Sequence, residues 1–183
     1  VDANGSVWVT NWEAGVFRVD SATNSVTATI GIYAPFGIAV DANQNVWSTS
    51  GSGTVYRINP ITNSIAATIS VGFNAPRGVA IDANQNVWVT NVGDNTVSRI
   101  NPATNTVVAT VTGFNNPYGI AVDANQNVWG TNYNANTVSR VNPLTNSIEA
   151  SVSVGTNPEE IAVDSNGNIW VANYGSGNVS RID

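Results

Sequence analysis

The sequence predicts an all-β fold built of four-stranded antiparallel blades, a β-propeller, on three observations. The stretch DANQNVW stands unchanged at Asp41–Trp47, Asp82–Trp88 and Asp123–Trp129, with near copies at Asp2–Trp8 and Asp164–Trp170. The residues before these turns, Val1, Val40, Ile81, Val122 and Val163, are spaced by 39, 41, 41 and 41 positions, and a period near 41 suits a four-stranded blade. Each repeat holds four short runs of Val, Ile, Thr and aromatic residues, separated by Asn, Gly, Pro and Asp. No segment sustains an apolar helical period with caps.

The third repeat shows the elements in order. Strand A is expected at Gly78–Ile81, B at Val87–Thr90, C at Thr96–Ile100 and D at Thr106–Val111. Runs such as VWV and GIAV are apolar on both sides, as a sheet sandwiched between two neighbours requires. In DANQN the Asp side chain is expected to accept from backbone N–H groups two or three residues on, with Asn taking positive φ. In NPITN, NPATN and NPLTN (Asn59–Asn63, Asn101–Asn105, Asn142–Asn146) Pro sets φ at the second turn position, and Ser21 replaces it in the first repeat.

Counted this way, the chain is one array: a partial blade over 1–35, blades over 36–76, 77–117 and 118–158, and a partial blade over 159–183. The first blade lacks A and the last lacks D. Three arrangements fit: a fragment of a larger propeller, an imperfect five-blade ring, or chains that complete one another by strand addition. A piece of a larger assembly is the expectation preferred, since the chain opens inside a repeat.

Composition narrows the function classes. The net charge is −6, charged residues are 10% of the chain, and Lys, His, Cys and Met are all missing. An acidic chain with six Arg lacks the basic stripe that nucleic acid needs. No apolar run approaches a bilayer-spanning length. Polarity carried by Asn, Thr and Ser points to an extracellular or cell-surface setting, and Asn4 and Asn178 stand in glycosylation sequons.

Two ladders run through the repeats. Trp8, Trp47, Trp88, Trp129 and Trp170 fall at one position of strand B and read as packing between blades. Arg18, Arg57, Arg99, Arg140 and Arg181 fall at one position of strand C and read as forked bonding, either to the repeated Asp or to carbonyls of a neighbouring blade. D-x-N-x-N matches half of a calcium loop, but it offers one carboxylate and has Val where Gly is required. No metal, cofactor or catalytic residue is therefore assigned.

The segments VWVTN, NTVSRINPATNTVVATV and NPYGIAVD of the third and fourth repeats resemble the YVTN-type repeats of bacterial and archaeal surface propellers. They are also similar to NHL repeats and to the virginiamycin B lyase (streptogramin lyase) family. The resemblance implies a propeller along the whole chain. For the lyases it also implies a metal-assisted mechanism using loop His and Glu residues. With no His in the chain, that catalytic His has no counterpart.

A meander puts the A–B and C–D turns on one face of the blade and the B–C and D–A loops on the other. The repeated turns share the first face; the loops that vary share the second. Those loops carry Trp12, Glu13, Tyr33, Arg77, Asp94, Tyr118, Tyr133, Glu159, Glu160 and Tyr174, the expected partner-binding set. Phe73 and Phe114 stand in the same loops and read either as contact residues or as loop plugs, and the adjacent Glu159 and Glu160 as solvated. The leading expectation is a non-catalytic extracellular scaffold or adhesive module that self-associates into an oligomer or fibre. A divergent or partial streptogramin-lyase-like enzyme and a glycan- or protein-binding lectin-like module are the alternatives.

Overall fold

The computed structural model describes residues 1–183 and is all-β. Five antiparallel meanders follow one another. Blade 1 is β1 (Ser6–Asn11), β2 (Gly15–Asp20) and β3 (Ser25–Ile30). Blade 2 is β4 (Pro35–Val40), β5 (Val46–Ser50), β6 (Thr54–Asn59) and β7 (Ser64–Ile69). Blade 3 is β8 (Pro76–Ile81), β9 (Val87–Asn91), β10 (Thr96–Asn101) and β11 (Thr106–Val111). Blade 4 is β12 (Pro117–Val122), β13 (Val128–Asn132), β14 (Thr137–Asn142) and β15 (Ser147–Ser153). Blade 5 is β16 (Pro158–Val163), β17 (Ile169–Asn173) and β18 (Asn178–Ile182).

The strands fall where expected, except that each A strand begins earlier. β8 starts at Pro76 rather than Gly78, and β16 covers Pro158–Val163 rather than Ile161–Asp164. A bulge separates the two parts of each A strand: Pro76 pairs with Asn91, and pairing resumes only at Val79 with Val89. The same shift recurs in β4 and β12, whereas in β16 only Glu159 is left out, because Glu160 pairs with Ala172. An isolated apolar run does not reveal a residue pair lifted out of the ladder.

The core lies between blades. Trp47, Val55 and Ile69 of blade 2 pack on Val79, Val87, Val89 and Ile100 of blade 3. Equivalent sets join blades 1 and 2, 3 and 4, and 4 and 5. Each blade thus shows a Trp face to its successor and a Val/Ile face to its predecessor. Trp47 and Trp88 are fully buried, and such a side chain contributes about 2–3 kcal/mol by burial. Phe114 is buried in the junction of blades 3 and 4, and Phe73 packs against that of blades 2 and 3, so both plug their loops.

The first and last blades leave their outer faces open. Trp170 is 39% exposed, against 0% for Trp88, and Val179 and Val9 are also exposed. The five blades therefore stand as an open arc rather than a closed five-blade ring, with the A strands β4, β8, β12 and β16 adjoining along its inner side.

The repeated turn is built differently from the simple expectation. Asp82 Oδ1 accepts from the Asn86 backbone N–H, four residues on, at 2.9 Å, and Oδ2 accepts from the Trp88 indole at 2.9 Å. The carboxylate thereby fixes its own turn and the core Trp together. The positive φ falls on Gln44, Gln85 and Gln126 (68°, 67° and 69°), not on Asn. From that position Gln85 Oε1 accepts from Ala42 N–H of the preceding blade at 2.7 Å, a bond Asn is too short to reach. Asn takes positive φ in the other turn, at Asn63, Asn105 and Asn146.

In blades 1 to 3 the Arg ladder follows the second of its two sequence readings, and Arg18 also stands 4.0 Å from the repeated Asp2. Arg57 Nη1 donates to the Pro102 carbonyl of the next blade at 3.0 Å, and Arg99 Nη1 to Pro143 at 2.8 Å. Each guanidinium also lies over its own blade's Trp, at 5.9 Å for Trp47 and 5.6 Å for Trp88. Arg140 and Arg181 have no following C–D turn and meet Glu149 and Asp183 instead.

Candidate functional site

The bulges decide where the variable residues go. In each P-x-G segment the x–Gly pair is lifted from the ladder, and a strand-B threonine fills the gap. Gly78 N–H donates to Thr90 Oγ1 at 2.8 Å, and that hydroxyl donates to the Tyr118 carbonyl of the next blade at 2.6 Å. Thr49 and Thr131 make the same clasp to the carbonyls of Arg77 and Glu159. A Cβ on Gly78 would stand 2.6 Å from the Tyr118 carbonyl oxygen, so neighbouring inner strands approach closely only with glycine there. Bulges of this kind re-aim side chains. Here they set the four x residues, Phe36, Arg77, Tyr118 and Glu159, side by side along the inner rim on the variable-loop face.

Four of the ten predicted residues, with Phe36, form one stacked row. Trp12 meets Phe36 edge-on at 4.7 Å. The Arg77 guanidinium lies between Phe36 and Tyr118, at 4.3 and 4.4 Å from their ring centres. Tyr118 stacks on Tyr133 at 4.8 Å with an interplanar angle of 22°. Phe36 was not among the predicted set; it reads as an ordinary strand residue, and only its alignment with Arg77 and Tyr118 in P-x-G marks it.

Partial removal from water pushes the Tyr133 hydroxyl above its ordinary range, and the Glu159 carboxylate, Tyr118 and Tyr174 add to the shift. Glu159 is half-buried beside this end of the row, and Glu160 is exposed. Glu159, Glu160 and Tyr174 share a surface depression that lies on blade 5. The remaining residues stand apart. Tyr33 is 74% exposed with no stacking partner, Glu13 is exposed, and Asp94 accepts from the Asn74 side chain at 2.9 Å.

Below the row a cleft of about 290 Å³ runs along the inner strands, bounded by Phe36, Arg77, Tyr118, Gly78, Gly119 and Glu160 among others. Arg77 is the one Arg outside the ladder, and its side chain makes no hydrogen bond or ion pair within the chain. Glu160, across the cleft, makes none either. It occupies the position that is glycine in blades 2 to 4.

On the opposite face the turn aspartates have their oxygens taken up by donors. Asp164 is held well below the ordinary carboxylate range by the Asn168 amide and the Trp170 indole, against the opposing effect of burial. For Asp2 burial pushes upward, but bonds from Trp8, Ser6 and Asn4 together with the charge of Arg18 outweigh it. The sequon residues Asn4 and Asn178 are both exposed, and Asn178 Oδ1 accepts from the Asn173 and Ser176 side chains.

No protein-family model matches the chain, and no curated protein matches it by sequence. Solved structures do match. A catalytically inactive virginiamycin B lyase from Staphylococcus aureus, solved with quinupristin, aligns at TM-score 0.89 and 18% identity, over 100% of this chain and 64% of that one. A streptogramin B lyase aligns at TM-score 0.87 and 18% identity, over 100% of this chain and 63% of that one. The WD40 propeller domain of Doa1 aligns at TM-score 0.87 and 16% identity, over 98% of this chain and 61% of that one. The chain thus spans about two-thirds or slightly less of the proteins it matches, at identities that speak for fold alone. In architecture it is a β-propeller repeat protein similar to the streptogramin lyases.

Proposed function

We propose that the chain is a non-catalytic β-propeller scaffold that associates head to tail through the outer faces of blades 1 and 5. One observation carries this reading: the two faces are the two halves of a junction used four times inside the chain. Trp170 and Val179 stand exposed where Trp88 and Val97 are buried by blade 4. Val7, Val9 and Val19 stand on blade 1 where Val87, Val89 and Ile100 meet blade 2. A heterologous contact of this type builds rings or fibres.

Blade 5 also departs from the repeat in a way that suits such a junction. Ala172 replaces the clasping Thr, and Glu160 replaces the close-approach Gly. Both changes remove the seat for a following inner strand. Arg181 would meet the Ser21 carbonyl, at the place of Pro102 and Pro143. The acidic, Asn- and Thr-rich composition supports an extracellular or cell-surface setting. A catalytic reading has less support, because the commonest bases and nucleophiles, His, Cys and Lys, are missing.

Light scattering with negative-stain microscopy tests the proposal. Mass should rise with concentration into rings or filaments, and Val9→Arg should hold the chain as a monomer at every concentration. A compact monomer at high concentration overturns it. EDTA-sensitive turnover of a streptogramin would overturn the non-catalytic part. The aromatic row favours a second reading, a glycan- or protein-binding module, which predicts glycan-array binding lost in Tyr133→Ala and Tyr174→Ala.

A further inference from the structure

We infer that the inner cleft binds a small zwitterion of amino-acid to dipeptide size, its carboxylate on Arg77 and its ammonium on Glu160. The inference is independent of how copies associate. It rests on two opposite charges that share one cleft yet have no partner in the chain.

The Arg77 end selects a carboxylate. The guanidinium carbon lies 4.3 Å from the Phe36 ring centre and 4.4 Å from that of Tyr118, so an aromatic ring from each flanking blade packs against it. Its N–H groups make no bond within the chain, and they offer the parallel donors that bind a carboxylate bidentately. The stack also fixes the side chain beforehand, so little rotamer freedom is lost on binding. The other Arg side chains are engaged by neighbouring turns or by carboxylates, so none competes for this role.

The Glu160 end selects a cation. Glu160 lines the same cleft, while Glu159, Tyr133 and Tyr174 lie together on the adjoining rim. Carboxylate and aromatic faces in one place favour an ammonium. A simple anion would meet these carboxylates unfavourably in a chain of net charge −6, and a simple cation would meet Arg77. A ligand carrying both charges satisfies both ends. The volume, about 290 Å³, sits at the small end of ligand pockets.

Calorimetric titration of the full chain with alanyl-alanine, N-acetyl-alanyl-alanine and alanyl-alanine amide tests the assignment. The free dipeptide should bind, and each capped form should bind about ten-fold more weakly or worse. Arg77→Gln should weaken the free dipeptide about ten-fold and leave the amide unaffected; Glu160→Gln should do the same with respect to the N-acetyl form. Arg77→Lys, which keeps charge but not the planar fork, should fall between, and thermal melts check that each variant is folded. Equal binding of capped and free forms, variants with unchanged affinity, or no heat of binding up to about 10 mM dipeptide overturns the inference.

Discussion

Arg99 combines two contacts in one side chain: it lies over Trp88 and donates to the Pro143 carbonyl of the next blade. Lysine keeps the charge but loses the flat stack and the fixed fork. Arg99→Lys should therefore cost about 1–2 kcal/mol in chemical denaturation. Arg181→Lys should cost almost nothing, because that side chain is half exposed and pairs only with Asp183. Equal losses would remove the inter-blade bond as the reason for the ladder. The turn aspartates make a pH prediction. Asp164, Asp2 and Asp20 are all held below the ordinary carboxylate range. Groups with depressed folded pKa values stabilise fully above the unfolded value, about 3.9, and lose that contribution as pH falls through the folded one. The melting temperature should accordingly drop on acidification below about pH 4. Asp164→Asn should melt lower at pH 7 and lose less between pH 5 and pH 2; an unchanged acid slope would show that this turn does not set it.

At the scale of the element, the inner strand is the part that composition hides. Gly37, Gly78 and Gly119 open the A strands as the sequence places them, yet they lie mid-strand and let a neighbouring backbone pass. Gly78→Ala should cost about 1–3 kcal/mol, because the added methyl meets the Tyr118 carbonyl and Ile120, both in a packed strand. Glu160→Gly at the equivalent place in blade 5 should change thermal stability little, since Glu160 is exposed and unpartnered. A reversal of these two results would discard the close-approach argument. The contrast also shows what was legible. Strand number, blade order and both ladders were readable because every blade repeats them, and repetition itself is visible in one dimension. The Asp82–Trp88 bond was not, although both residues stood in view, because their spacing of six has no meaning until the hairpin closes. The row from Trp12 to Tyr133 was only half legible: the variable loops named four of its members, but their meeting depends on three bulges and on the rotation from blade to blade.

For the whole molecule, stability should be distributed along the arc rather than shared evenly, since each blade of a repeat array answers mainly to its neighbours. Blades 2 and 3 are covered on both faces and tied to the next blade by the Gln, Arg and Thr bonds. Blade 5 is covered on one face. At its junction with blade 4, Gly167 replaces the Gln, and Arg140 meets Glu149 of its own blade rather than a following turn. One clasp remains there, from Thr131 to the Glu159 carbonyl at 3.1 Å. Local opening should therefore begin in β16–β18, and hydrogen exchange of β17 amides should run well ahead of β9 amides in dilute protein, by about 100-fold or more. Association would change that order in a specific way. Covering Trp170 and Val179 with blade 1 of another copy should slow exchange in β17 and β1 together as concentration rises, while β9 stays unchanged. Val9→Arg should abolish the concentration dependence and leave the dilute pattern intact. Protection that rises uniformly along the chain would point instead to contacts outside the two end faces, and β17 exchanging as slowly as β9 in a dilute monomer would mean that the inter-blade bonds do not set the stability of the arc.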